Sequence, residues 1–205
     1  NGYLVFIPDV VFRKGEPGAS SYDAVVSGVK SLIDRYDFID KDRIALNGHS
    51  WGGYQIAFLV TRTNMFKAAV SGAPVVNMTS AYGGIRWESG KSRMFQYEQT
   101  QSRIGGTLWD KPAEFIRNSP LFFLPQVQTP VLIMHNDKDG SVMWEQGIEF
   151  FMALRRLDKP VWLFNYKGEG HHLKKWENRL DYSRRVMEFY DYYLKDGKKP
   201  EWMKS

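Results

Sequence analysis

The chain contains no cysteine, which excludes disulfides, thiolate metal sites and a cysteine nucleophile. That absence leaves the compartment open, with a periplasmic or secreted setting placed slightly ahead of a cytoplasmic one. No apolar stretch approaches the roughly 18 to 20 residues that a membrane-spanning helix needs. Internal repeats and low-complexity linkers are missing too, so the 205 residues read as one domain. Histidines and carboxylates nowhere fall at metal-ligand spacing, and neither a metal nor an organic cofactor is expected. Strong charge of one sign is also lacking: the net charge is +5, with basic residues scattered among acidic ones. Lys174-Lys175 and Lys198-Lys199 read as solvated surface, a nucleic-acid-binding stripe being the weaker alternative, and no nucleic-acid partner is expected. The chain starts Asn1-Gly2-Tyr3, with neither methionine nor signal peptide, as the interior of a longer protein would; nothing about targeting follows.

What is present suits a well-cored domain: 43% hydrophobic and 15% aromatic residues supply a deep core and an aromatic-walled pocket. Short apolar runs alternate with amphipathic segments. Strands are expected at 3–7 (closed by Pro8), 43–47, 68–70, 131–134 (announced by Pro130) and 161–164. Helices are expected at about 20–36, with Tyr22, Val25, Val26, Val29, Leu32 and Ile33 on the apolar face, then from 54, at about 144–157 and at about 177–194. Residues 72–124 are less regular and read as a helical excursion over one end of the sheet. Five strands alternating with helices imply a mostly parallel α/β sheet flanked by helices.

Between the second strand and its helix stands Gly48-His49-Ser50-Trp51-Gly52-Gly53-Tyr54. A G-x-S-x-G run in a strand–turn–helix setting presents a serine on a sharp turn. Gly48 and Gly52 are expected to leave room where side chains would collide with neighbouring backbone. The Trp51 amide, opening the helix, is placed to stabilise an oxyanion. Taken alone, the motif also fits an ordinary glycine-rich turn.

In a parallel α/β sheet, functional residues gather in loops after the carboxyl ends of strands. Asp137 and Asp139 follow the 131–134 strand, and His171 and His172 follow the 161–164 strand. Serine, then aspartate, then histidine is the chain order of α/β-hydrolases. The chemistry needs all three, because the imidazole takes the hydroxyl proton and the carboxylate fixes the imidazole tautomer.

The serine motif, Asp139-x-x-Val142 and Gly168-Glu169-Gly170-His171, together with the ending Glu177-Asn178-Arg179-Leu180-Asp181-Tyr182, resemble the catalytic domain of the prolyl oligopeptidase family. The closest look is to its dipeptidyl-peptidase-IV and acylaminoacyl-peptidase-like branches, and the resemblance runs over nearly the whole chain. It implies an α/β-hydrolase fold over residues 1–205 and a serine peptidase acting on short peptides through an acyl-enzyme. By family position Ser50 is the nucleophile, Asp139 the carboxylate and His171 the base, with Asp137 a surface or loop-capping residue and His172 a neighbour. The resemblance makes Trp51, Val75, Met78, Tyr82, Ser141 and Val142 candidates for the wall around the P1 side chain; each also fits plain core. Met78 stands where several relatives carry an aromatic residue, which puts preference for proline in doubt. His49 is expected to pack behind the turn, His135 to shape the Asp loop, and Asn136 to replace a family glycine in that loop.

The resemblance also implies parts that this chain lacks: the usual N-terminal strands, a second oxyanion donor and any β-propeller. Completion by a missing N-terminal segment or by another chain, a second copy included, is therefore expected. The gap beside the 43–47 strand is expected to leave unpaired edges. A carboxylesterase with the same triad, and a non-catalytic binding domain on the same fold, are the alternative functions.

Overall fold

A computed structural model describes residues 1–204. Helix α1 (Pro17–Arg35) leads into strand β1 (Ala45–His49), helix α2 (Trp51–Val60) and strand β2 (Ala68–Gly72). Then come α3 (Met78–Tyr82), β3 (Ile85–Arg86), β4 (Lys91–Ser92), α4 (Met94–Glu98), α5 (Pro112–Arg117) and a 3-10 turn (Pro120–Gln126). The chain closes with β5 (Val131–Met134), α6 (Trp144–Arg156), β6 (Val161–Phe164), α7 (Trp176–Leu194) and a second 3-10 turn (Glu201–Met203).

Strands β1, β2, β5 and β6 form one parallel sheet in that order. Alternate residues of β5 point to opposite faces. Val131 and Ile133 pack with Val26 and Val29 of α1, Ile56 and Leu59 of α2, and Phe150 and Leu154 of α6. Leu132 turns the other way, with Val70 of β2, toward Phe189 of α7 and Met203. β2 and β5 are buried along their whole length, which is why both read as continuous apolar or small-residue runs rather than alternating ones.

The expected strand at 3–7 is not formed, so the main sheet has four strands instead of five. Leu4, Val5 and Ile7 are 77%, 82% and 85% exposed. The segment is held by side chains: the Tyr3 hydroxyl donates to Asp191 Oδ1 of α7 at 2.7 Å, and Phe6 lies against Gly28 of α1. Among the described residues, no backbone hydrogen bond joins 1–12 to a strand. An apolar run becomes a strand only where a neighbouring edge accepts its N–H and C=O groups, and this segment has none. β1 is left as the sheet edge on that side.

The other expected elements form within a few residues of their expected ends, and 131–134 and 161–164 coincide with β5 and β6. The 72–124 excursion is helical as expected, but it also carries a short antiparallel hairpin. β3 and β4 pair Ile85 with Ser92, and Gly90 adopts a φ of 67° in their turn.

Two adjacent glycines in the serine turn differ in what they allow. A Cβ on Gly53 would lie 2.2 Å from the Gly72 carbonyl oxygen of β2, whereas one on Gly52 would meet nothing within 4 Å. The close approach expected of Gly52 therefore belongs to Gly53, because α2 crosses β2 one residue later. Gly53→Ala is expected to lower stability by about 1–3 kcal/mol through overpacking against backbone, while Gly52→Ala is neutral or slightly stabilising. Thermal and urea unfolding of the two variants checks this; equal midpoints would refute it.

Candidate active site

The serine turn is built by close backbone contacts. Ser50 has φ 59° and ψ −116°, a conformation that costs a non-glycine residue on the order of 1–3 kcal/mol. It is pinned from both sides: its amide donates to the Gly72 carbonyl at 2.8 Å, and its carbonyl accepts the Tyr54 amide at 3.0 Å. A Cβ on Gly48 would stand 2.4 Å from the Gly52 carbonyl oxygen, so glycine is required there, as expected. Trp51 is the first residue of α2, and its amide has no carbonyl within the helix to bond. That N–H, at the positive end of the helix, is free for a developing negative charge beside Ser50.

The loops after β5 and β6 bring the other two groups to this serine. His171 Nε2 lies 2.8 Å from Ser50 Oγ, and His171 Nδ1 lies 2.8 Å from Asp139 Oδ2. A carboxylate beside Nδ1 keeps the proton there, which leaves the Nε2 lone pair to accept from the serine hydroxyl. Asp139 is 6% exposed, and its other oxygen accepts the amides of Ser141 and Val142, each at 2.8 Å. His135 Nε2 is 3.3 Å from Asp139 Oδ2 and 3.1 Å from the Val142 carbonyl; two acceptors on one nitrogen place its proton there. Burial by itself would raise the Asp139 carboxyl, but hydrogen bonds from His135, His171 and the Val142 amide outweigh it and hold the group well below the usual carboxylate range.

The loops are locked to each other by Asn136, by Asp137 in the loop-capping role expected of it, and by Glu169, whose role the sequence left unassigned. Asn136, 1% exposed, donates from Nδ2 to the Gly170 carbonyl at 2.8 Å and accepts the Tyr166 amide at 3.1 Å. Asparagine at this position thus ties the Asp loop to the His loop, which a glycine cannot do. Asp137 caps the same junction from outside, accepting the Gly168 amide at 2.7 Å. Glu169 accepts the amides of Lys174 and Lys175 at 2.9 and 3.0 Å and Asn178 Nδ2 at 2.7 Å, fastening the His loop to the start of α7. The hairpin adds a contact from above: Arg86 Nη2 donates to Ser141 Oγ at 3.0 Å, and that hydroxyl donates to Glu88 at 3.1 Å.

Of the candidate wall residues, Val75, Met78, Tyr82 and Val142 share one apolar cluster with Tyr54, Tyr97 and Phe115, and Trp51 packs against it. Trp51 stacks on Tyr54 with ring centroids 4.5 Å apart and is the partly exposed member next to Ser50. Met78 is fully buried, and the Tyr82 hydroxyl donates to Glu98 at 2.6 Å. Ser141 sits apart from the cluster's interior, with its amide committed to Asp139.

His49 packs behind the turn, its ring 4.8 Å from that of His171 and 4.7 Å from that of His172. The three rings bring one nitrogen each within 4.8 Å of one another, a convergence that sequence spacing did not show. Zinc–nitrogen bonds of about 2.0–2.1 Å would hold such atoms about 3.3 Å apart, and both nitrogens of His171 are already engaged. No helix among the described residues is long and apolar enough to cross a membrane.

A sequence profile of the prolyl oligopeptidase family matches residues 12–197. The chain is 31% identical over 166 residues to the uncharacterized peptidase YuxL of Bacillus subtilis, covering 79% of this chain and 23% of that protein. It is 29% identical over 174 residues to the acylamino-acid-releasing enzyme of Homo sapiens, covering 82% and 22%. Among solved structures, an acylaminoacyl peptidase of Pyrococcus horikoshii superposes with a TM-score of 0.79 at 20% identity, covering 94% of this chain and 30% of that one. A puromycin-hydrolyzing peptidase of Mycobacterium tuberculosis superposes with a TM-score of 0.75 at 24% identity, covering 88% and 26%. These likenesses show the α/β-hydrolase fold. The chain spans less than a quarter of the length of these two curated relatives.

Burial, followed by the neighbouring His171 and His172, lowers the His49 pKa from 6.5 to about 4. Unfolded chain then takes up the proton first as pH falls, so stability is lost between about pH 6.5 and about pH 4. Histidine NMR titration is expected to show the His49 ring neutral down to about pH 5; a midpoint near 6.5 would contradict this.

Proposed function

The chain belongs to the prolyl oligopeptidase family, and on that premise we propose that it forms the catalytic part of a serine peptidase acting on short peptides. The observation that carries this reading is the continuous hydrogen-bonded line from Ser50 Oγ through His171 to Asp139, with both links at 2.8 Å. His171 Nε2 takes the Ser50 proton as Oγ attacks the peptide carbonyl carbon, and the carbonyl oxygen becomes the oxyanion facing the Trp51 amide. Collapse of the tetrahedral intermediate breaks the C–N bond, and His171 returns its proton to the leaving amine. Water, deprotonated by the same nitrogen, then releases the acyl group from Ser50.

Asp139 acts without changing protonation. Its low pKa keeps it ionised, and its charge stabilises the imidazolium that forms in each half-reaction. Trp51, Val75, Met78, Tyr82 and Val142 supply the apolar wall for the acyl-side residue, with Ser141 holding the Asp loop beneath it. One oxyanion donor lies in this chain. In the intact protein a second donor, from residues beyond this chain or from a second chain, completes the hole. Losing one donor costs about 100- to 1000-fold in rate, so the chain alone is weakly active or inactive.

In the intact protein, Ser50→Ala is expected to abolish fluorophosphonate labelling and to lower kcat by about a million-fold. Asp139→Asn is expected to lower kcat by about ten-thousand-fold with KM little changed. Comparing a dipeptidyl naphthylamide with a short-chain nitrophenyl ester separates a peptidase from a carboxylesterase. Hydrolysis of the ester alone would overturn the peptidase reading, and full activity in Ser50→Ala would overturn the site itself.

A further inference from the structure

Beside the apolar cluster lies a buried charge that keeps unpaired N–H groups. Arg93, at the end of the hairpin, is 5% exposed. Its Nε and Nη1 have no hydrogen-bond partner, and no carboxylate forms an ion pair with it among the described residues. Its guanidinium stands 5.8 Å from the centroid of the Tyr97 ring, and its amide is bonded to the Gly84 carbonyl at 3.1 Å. The hydroxyls of Tyr97 and Tyr54 are likewise buried and without partners. Both tyrosines belong to the cluster that holds Val75, Met78, Tyr82 and Val142, and Tyr54 is the ring on which Trp51 stacks. Burial pushes the Tyr97 hydroxyl up, while the charge of Arg93 and a hydrogen-bonding approach of its guanidinium pull it back, so the guanidinium stands beside that oxygen.

Other buried polar side chains next to the site, Asp139, Asn136 and Gln146, have hydrogen-bond partners, whereas Arg93 shares its lack of them with His49 Nε2 and His135 Nδ1, which are not obligatory charges. A guanidinium shielded from water without an acceptor is a costly arrangement. A planar fork of N–H groups with unpaired donors, beside the Tyr97 ring at the edge of one apolar cluster, makes a site for a carboxylate. We propose that Arg93, beside Tyr97, forms the floor of the P1 pocket and selects substrates with an acidic side chain, glutamate or aspartate, at P1. This rests on the peptidase reading above, in which the side chain of the acyl-side residue enters beside Trp51. An apolar P1 residue fills the same walls but leaves the guanidinium unpaired, so discrimination arises from the charge and not from size.

The test is steady-state hydrolysis by the intact protein of Ala-Glu-p-nitroanilide against Ala-Gln-p-nitroanilide, each free and N-acetylated. The glutamate substrate is expected to be favoured about tenfold or more in kcat/KM. Arg93→Met is expected to cut the glutamate rate about 10- to 100-fold while leaving the glutamine rate nearly unchanged, and Arg93→Lys to retain an intermediate preference. Equal wild-type rates on the two substrates would overturn the proposal. So would an equal loss on both in Arg93→Met, the mark of a merely structural role. Should Arg93→Met not fold, competition by Ala-Glu and Ala-Gln dipeptides against the wild type decides: tighter inhibition by Ala-Glu supports the floor, and equal inhibition removes it. Fluorophosphonate labelling of the same preparation separates the two readings. A labelled protein without glutamate preference fails this inference alone, whereas an unlabelled one fails the peptidase reading.

Discussion

A buried carboxylate has to be paired, and much of the site's architecture follows from meeting that requirement at Asp139. Its two oxygens collect two backbone amides and two imidazoles. Those partners come from three places: the turn that follows Asp139, the histidine four residues before it, and the loop after the neighbouring strand. Each partner is itself fixed. His135 is held by the Val142 carbonyl, Ser141 by the hairpin's Arg86 and Glu88, and the His171 loop by Asn136 and Glu169. The loops after β5 and β6 are thus ordered by one desolvated charge, and the imidazole's position relative to Ser50 is a by-product of that ordering.

The serine side of the site obeys a different constraint, backbone proximity. A positive φ at Ser50 persists because the surrounding chain leaves no alternative. β1 passes so close to the start of α2 that Gly48 meets the Gly52 carbonyl, and α2 passes so close to β2 that Gly53 meets the Gly72 carbonyl. Strand pairing of His49 with Gly72 carries the same contact into the sheet. The nucleophile is therefore positioned by rigid parallel strands, while its base and carboxylate hang on loops tied together by side chains. Rigid strands on one side and side-chain-tied loops on the other hold the imidazole in place between its two partners.

How legible this was in the sequence differs by the range of the forces involved. Periodic helices such as α1 and α6, and the strands at 131–134 and 161–164, follow from local pattern, because burial on a known face is encoded every few residues. The order and loop placement of Ser50, Asp139 and His171 were legible because strand ends in a parallel sheet always deliver loops to the same edge. Pairing and contact at a distance were not. The run 3–7 has the composition of a strand, yet strand formation depends on a neighbour's backbone that composition does not report. Gly52 and Gly53 are identical as letters, and only the crossing of α2 over β2 tells which one is irreplaceable. Asn136 looked like a tolerated replacement for glycine, but its amide bridges two loops that lie 34 positions apart at Gly170. The hairpin at 85–92 has two-residue strands, too short to leave a periodic trace.

Asp139 and Arg93 are both buried charges close to the same apolar cluster, and the comparison between them bears on specificity. The carboxylate is saturated by protein donors and so is finished as a structural element. The guanidinium keeps unpaired donors although Glu88 and Glu98 stand on the same stretch of chain. Those two carboxylates are committed elsewhere, Glu88 to Ser141 and Glu98 to the Tyr82 hydroxyl. A fold that satisfies one buried charge so fully has the means to satisfy the other. Glu88 of the hairpin and Glu98 of α4, each five residues from the arginine in sequence, both go to hydroxyl groups instead. On desolvation grounds alone that distribution is unfavourable, and it becomes intelligible if the missing acceptor arrives with the substrate. The same unpaired donors would then explain how a wall of valine, methionine and tyrosine discriminates between residues of similar size, which apolar contact by itself does weakly.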